Sequence, residues 1–321
     1  MKILVQLLRV FVGLTFVFSG FVKLIDPLGS AYKFEEYFSE GVLNMEFLIP
    51  YALPFSIVLI TVEFLLGINL LAGWKSKFTT WSLLGIMLVF LFLTWYSAYF
   101  DKVTDCGCFG DAVKLSTWGT FYKNVVLVLM VLILVWKHEY ILPILKRESW
   151  MGWIPFSGLV FCLLITYHVL LHLPIIDFRP YAIGKNIAQG METYDEDGVP
   201  LVHDFSLESP NEDLTEELLS ADKVVLFISY DLSISDENGF VASKVLADEA
   251  LEKGYRVYGV SADSDAALAK IKERFNLPYD FLFCDATTLK TIVRSNPGIV
   301  ILNRGTVSQK KAWRDYQEIE L

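Results

Sequence analysis

FSIVLITVEFLLGINLLAG, residues 55–73, holds one ionisable side chain, Glu63, in nineteen residues. A helix needs about 20 mainly apolar residues to cross the hydrocarbon core of a bilayer. Extended back to Leu48, this run supplies them. It is apolar all round, which suits burial in lipid rather than a surface helix in water. Four more runs have the same character: Ile3–Leu24, Phe78–Phe100, Phe121–Trp136 and Trp153–Leu173. Phe121–Trp136 is short, and its start extends back to Trp118, because Trp and Tyr favour the interface. Ile3–Leu24 carries Arg9 and no small-residue cleavage site ahead of a polar mature chain. It reads as a retained span rather than a signal peptide.

Outward from these runs the chain divides by charge. It has 321 residues, 54% of them hydrophobic, and a mean hydropathy of +0.45. Residues 1–173 hold 11 acidic and 12 basic residues; residues 174–321 hold 26 and 15. The net charge of −10 therefore resides in the second part, which points to two domains in two solvents. Such an acidic domain is a poor candidate for binding nucleic acid or an anionic membrane surface.

Short loops on the cytoplasmic side of a membrane are enriched in Lys and Arg. Lys2, the Lys75/Lys77 loop and the segment with Lys137, Lys146 and Arg147 share one side if the N-terminus is cytoplasmic. The Glu-rich loop 25–46, the loop 101–117 and the acidic domain then lie outside. This predicts a multi-pass protein of the bacterial inner (plasma) membrane with a periplasmic C-terminal domain.

Among the polar residues inside the spans, Arg9 and Glu63 stand out. Charges at membrane depth face a partner or a cavity. An Arg9–Glu63 pair is one expectation. The alternative has Arg9 reaching to the headgroups and Glu63 protonated in the bundle. Gly67, one turn from Glu63, permits close helix approach. Lys23 and Asp26 read as interface anchors.

The loop 101–117 contains CGCFGD at 106–111. Outside the cytoplasm two cysteines can form a disulfide. One spanning a single glycine closes a very small ring, staples little, and is strained and easily reduced. Cys106 and Cys108 thus suit a redox dithiol. A structural turn, or pairing with Cys284, stays open. Asp105 and Asp111 disfavour the thiolate, and Lys102 and Lys114 offset them. A metal site is not expected, since two cysteines without a nearby His fall short of four ligands.

Residues 1–140 resemble the MauE branch of the DoxX-like membrane proteins. The matching positions are Arg9, Gly13, Ser19, Gly20 and Lys23, then Glu63, Gly67 and Gly73, and most specifically CGCFGD. The resemblance implies a four-helix bundle serving redox maturation of extracytoplasmic proteins, including disulfide formation in methylamine dehydrogenase. It also implies that Cys106 and Cys108 are the working thiols, with a membrane quinone as electron acceptor.

After a proline-interrupted linker (172–180) and a turn-rich stretch to Pro210, a regular pattern begins. Strands are expected at Lys223–Tyr230 (KVVLFISY), Tyr255–Ser261 and Asp280–Cys284. Helices are expected at Phe240–Lys253, Asp265–Phe275 and Thr287–Arg294. A hairpin of Ile299–Asn303 and Thr306–Trp313 follows. This α/β order resembles a thioredoxin-like domain of the peroxiredoxin/TlpA type. HDFSL (203–207) is similar to its first strand, and Pro297 is placed like its cis-proline. That family's cysteines after the first core strand are missing: Asp231–Asp236 has no thiol. Cys284 reads as a buried, inert thiol.

The expected organisation is a transmembrane bundle over 1–143, a fifth span and linker over 144–176, and a thioredoxin-like extracytoplasmic domain over 177–321. Two functions fit. One is a thiol–disulfide oxidoreductase, or an accessory to one, acting through Cys106 and Cys108 on an extracytoplasmic client protein. The other is a non-catalytic, membrane-anchored binding or assembly factor using the degenerate thioredoxin-like domain. A transporter has less support, because no internal repeat is visible.

Overall fold

The computed structural model describes residues 1–321 except 101, 103–106, 108, 114, 146 and 195–197; for 148 and 149 it describes the backbone alone. The described chain forms two compact units, residues 1–170 and 171–321.

The first unit is helical. It contains α1 (Lys2–Ile25), α2 (Pro27–Phe38), α3 (Ala52–Ala72), α4 (Ser76–Phe100), α5 (Thr117–Trp136), the short α6 (Glu148–Met151) and most of α7 (Trp153–Leu171). Among the described residues five segments are long and apolar enough to cross a membrane: α1, Glu46–Ala72, α4, α5 and α7. The chain is a multi-pass membrane protein. The segment read as an open loop, 25–46, contains α2. Asp26 is its N-cap, accepting a hydrogen bond from Gly29 N (3.1 Å), and Pro27 occupies the first turn, where its missing N–H costs nothing. Asp26 is therefore a helix start rather than a mere interface anchor.

Helices α1 and α3 cross closely because small residues face the partner backbone. A Cβ on Gly20 would lie 2.9 Å from the Phe64 backbone, and one on Gly67 would lie 2.8 Å from Val17 N. Gly13 faces the Leu71 side chain, whose Cδ2 would lie 2.6 Å from a Cβ there. Each step up α1 matches an equal step down α3, so the two run antiparallel. In lipid no hydrophobic force holds helices together, and such backbone proximity gives the dispersion contact that does. On the far side Val12 and Phe16 of α1 pack with Leu66, Leu83, Met87, Leu127 and Val131 in the bundle core.

The second unit contains α8 (Ile187–Glu192), α9 (Thr215–Ser220), β1 (Val224–Ser229), α10 (Glu237–Glu252), β2 (Arg256–Ser261), α11 (Asp265–Phe275), β3 (Asp280–Phe283), α12 (Ala286–Ile292), β4 (Gly298–Asn303) and β5 (Thr306–Ala312). The sheet order is β3-β2-β1-β4-β5. β1, β2 and β3 are parallel, while β4 and β5 are antiparallel to their neighbours. The central strand VVLFIS is buried along its whole length. Val224, Leu226 and Ile228 enter one core; Val225 and Phe227 enter the other. Strands buried on both faces read as continuous apolar runs, which is why KVVLFISY was legible.

The linker is not a free tether. Arg179 grips Asp177 through two hydrogen bonds (2.7 and 3.1 Å) and donates to Thr291 O. Lys310 of β5 donates to Asp177 (2.5 Å), Tyr181 O (2.7 Å) and Ile292 O (2.9 Å). Arg179 and Lys310 are only 2% and 4% exposed. Burial, with Arg179 nearby, pulls the Lys310 ammonium down to about 8, against the opposing pull of Asp177. Burial pushes the Asp177 carboxyl up, but the two cations outweigh it and hold it below the usual carboxylate range. Residues 177–181 are thus part of the globular unit.

Candidate functional site

The polar residues of the spans converge differently from the expected pair. Arg9 donates to Leu70 O (2.9 Å), Leu71 O (2.6 Å), Leu142 O (2.9 Å) and Gln6 Oε1 (3.1 Å). It serves the carbonyls at the C-terminal end of α3, where Gly73 closes the helix in the left-handed conformation (φ +74°). A cation at that end also meets the negative pole of the helix dipole. Glu63 pairs with Lys23 instead, at 2.9 and 3.1 Å, and Lys23 also donates to Ser19 Oγ (3.2 Å). The antiparallel register explains the correction, since Gly20 faces Phe64 and Lys23 is one turn from Gly20. Lys23 is a buried ion-pair partner, not a surface anchor.

This ion pair borders a small cleft within the bundle, with a cavity volume of about 20 Å³. Helix α1 contributes Thr15, Phe16, Ser19 and Lys23; α3 contributes Glu63; α4 contributes Met87 and Phe90. Helix α5 contributes Lys123, Asn124 and Leu127. Asn124 is held in place by donating to Thr94 Oγ1 (3.2 Å). The remaining wall is Phe109, from CGCFGD. Its ring lies 5.7 Å from that of Phe18, and the Lys123 ammonium sits 4.1 Å from its centre, within cation–π range. Gly110 takes a positive φ (+51°) close to Val22, and Gly107 does so (+59°) close to Lys33. Cys106 and Cys108 lie outside the described residues. The described part of their motif sits at the Lys23 end of α1.

Lys123 and Asn124 went unread in the sequence. The signal was present: two adjacent polar residues within the apolar run FYKNVVLVLM (121–130). Phe109 carried none, because a lone aromatic in a loop has no distinctive spacing.

In the second unit, the loop following β1 satisfies its own polar groups. Ser229 Oγ and Ser235 Oγ are 2.6 Å apart, and Leu232 N donates to Asp263 (2.9 Å). Asn296 Nδ2 donates to Asp231 O (2.6 Å), while Asn296 O accepts from Asp236 N (3.1 Å). The Asn296–Pro297 peptide is cis, and Gly239 leaves room for α10 to pack on Pro297. No thiol is present between β1 and α10. Hydroxyls and carboxylates cannot take part in disulfide exchange. Cys284 is fully buried and burial pushes its thiol up to about 11, so it holds little thiolate near neutrality.

Residues 1–137 match the family model of methylamine utilisation protein MauE. The N-terminal bundle is a MauE domain. The match ends one residue after α5, so α7 and the second unit lie beyond it. All the small and charged positions discussed above, from Arg9 to Gly73, belong to the α1–α3 contact or the cleft of this MauE domain. The second unit is thioredoxin-like, as its three parallel strands followed by an antiparallel hairpin show. The chain is similar to two solved structures. One is reduced Prx3 in complex with H2O2 from Vibrio vulnificus, at 16% identity over 40% of this chain and 85% of that one, TM-score 0.30. The other is a thioredoxin-like protein from Bacteroides caccae, at 14% identity over 83% and 85%, TM-score 0.29. No curated protein matches the chain.

Proposed function

We propose that this MauE-domain protein oxidises extracytoplasmic client thiols through Cys106 and Cys108, or assists a protein that does so. The client dithiol passes two electrons to the Cys106–Cys108 disulfide by exchange, leaving the client disulfide and the reduced pair. A membrane quinone then takes two electrons and two protons from the pair, becomes the quinol, and restores the disulfide. The MauE match assigns the chain a membrane, redox-related role. The observation that carries the finer reading is Phe109, which follows Cys108 directly and roofs the polar cleft of Lys23 and Glu63. The loop charges support a cytoplasmic N-terminus in the inner membrane and an outward thioredoxin-like domain, since five spans put the termini on opposite sides. Thiol trapping on membranes is expected to find the pair cycling between oxidised and reduced forms. Replacing both cysteines by Ser is expected to leave client thiols reduced; an unchanged client redox state would exclude the proposal.

A second reading has its own support. The thiol-free loop after β1, closed by Asn296 and Asp263, favours a domain that holds a client rather than oxidises it. In that case deletion of 177–321 abolishes client maturation and the Cys106→Ser/Cys108→Ser protein retains it.

A further inference from the structure

We propose that Ile175, Ile176 and Phe178 form a lipid-facing foot, which seats the thioredoxin-like domain on the surface of the membrane that its own chain crosses. Three observations meet here. First, α7 has no length to spare. Its 19 residues rise about 28 Å, which only just covers a hydrocarbon core of roughly 30 Å, so Leu171 lies at the edge of that core. Second, the chain is tied to the second unit as soon as it leaves the helix. That unit begins at Leu171. His172 Nδ1 lies 2.6 Å from Asp315 Oδ1, and Leu173 packs against the core that holds Tyr181 and Phe205. Consecutive residues span at most about 3.6 Å each, so Ile175 is within about 15 Å of Leu171 and Phe178 within about 25 Å.

Third, the side chains that face outward in this stretch are apolar. Ile175, Ile176 and Phe178 are 52%, 44% and 44% exposed. The one charged residue among them, Asp177, is turned inward onto Arg179 and Lys310. Its charge is met within the domain, so the outward face of residues 174–178 carries none. A single exposed apolar residue is ordinary on a soluble surface. Three large ones within four residues, held where a span ends, have a partner at hand. Phenylalanine and aliphatic side chains gain free energy by entering the boundary between headgroups and acyl chains. Residues 174–321 hold 26 acidic and 15 basic residues, so an anionic surface would repel this domain. The partner is therefore the apolar boundary of the bilayer rather than its headgroup charge. The buried Asp177–Arg179–Lys310 cluster fixes the backbone behind the foot and so sets which face of the domain meets lipid.

The test is the environment of an NBD fluorophore attached to Ile176→Cys in the full-length Cys106→Ser/Cys108→Ser protein, in phosphatidylcholine nanodiscs. Cys162 and Cys284 are fully buried, and labelling of the protein without the new cysteine gives their background. The probe at 176 is expected to emit at shorter wavelength than in water. It is expected to lose most of its intensity to phosphatidylcholine carrying a nitroxide near the headgroup end of its acyl chain, and to resist iodide. Phe178→Asp is expected to move the probe into water at an unchanged unfolding midpoint, since Phe178 belongs to neither core of the domain; shielding that survives this change overturns the proposal. A control probe goes on Val245→Cys, exposed on α10, which packs on the other side of the sheet. It is expected to be quenched by iodide alone. Equal lipid quenching at 245 overturns the proposal, because the domain would then adsorb without a preferred face. A probe at 176 that iodide quenches, or that neither quencher reaches, also overturns it, the latter assigning the stretch to protein contact. Lipid quenching that appears only with phosphatidylglycerol present overturns it in favour of headgroup charge.

Discussion

Two buried lysines, Lys23 in the bundle and Lys310 in the thioredoxin-like domain, are set in similar chemistry to different ends. Each faces a carboxylate at close range and has acceptors for its remaining hydrogens. Lys310 is enclosed. Its acceptors are one carboxylate and two main-chain carbonyls, and with Arg179 it fastens the linker to the sheet. Lys23 borders a small cleft and shares it with another ammonium, an amide and three aromatic rings. Enclosure makes a charge cluster a fastener; an adjoining cavity with a second cation makes it a candidate site.

The comparison can be broken most forcefully at Asp177. Asp177→Asn leaves Arg179 and Lys310 buried without their carboxylate, at an expected cost of about 3–5 kcal/mol. Thermal unfolding of the full chain in detergent, followed by near-ultraviolet circular dichroism, reads this directly. A loss under 1 kcal/mol would mean that water reaches the cluster. Glu63→Gln removes the corresponding partner in the bundle. Its expected cost is lower, about 2 kcal/mol, because Lys23 can be resolvated through the cleft. A loss as great as that at Asp177 would contradict the difference drawn between the two sites.

pH sharpens the contrast further. The folded state lowers the Lys310 value from 10.5 to about 8, so between those limits the unfolded chain binds more protons. Stability therefore rises with pH across that window, by up to about 1.4 kcal/mol per unit. Asp177, held low, contributes stability above the ordinary carboxylate range and loses it as pH falls through its folded value. Unfolding midpoints measured from pH 7 to 10.5 should show the rise, and Lys310→Met should remove it. The smallest effect belongs to Lys123→Met, expected to alter stability by less than about 0.5 kcal/mol, since this side chain is only partly buried and has no ion-pair partner among the described residues. A larger loss would make Lys123 a structural residue and remove it from the cleft's chemistry.

The spans and the α/β alternation were readable because each is a local property. Twenty apolar residues, or a VVLFIS run beside a helical one, have the same meaning wherever the chain goes. The glycines were readable as a likeness, and the α1–α3 crossing explains them: a Cβ at 20 or 67 would strike the facing helix. Arg9 and Glu63 were rightly singled out as costly groups, but their partners were mistaken. A lysine near a helix end looks the same in sequence whether it reaches for headgroups or turns inward, and only the register of two helices separates the cases.

Residue order alone established where the chain enters lipid, which part carries the acidic charge, and that no cysteine follows the first core strand, over Asp231–Asp236. Those conclusions depend on free energies of transfer and on the presence or absence of an atom type, which need no neighbour. Folding in three dimensions chose Lys23 over Arg9 for Glu63, set Lys123 and Phe109 at one cleft, and drew Asp177 into the β5 core. Each of those outcomes depends on residues far apart in sequence meeting at a few ångströms, a distance fixed by helix crossing and strand pairing rather than by any local pattern.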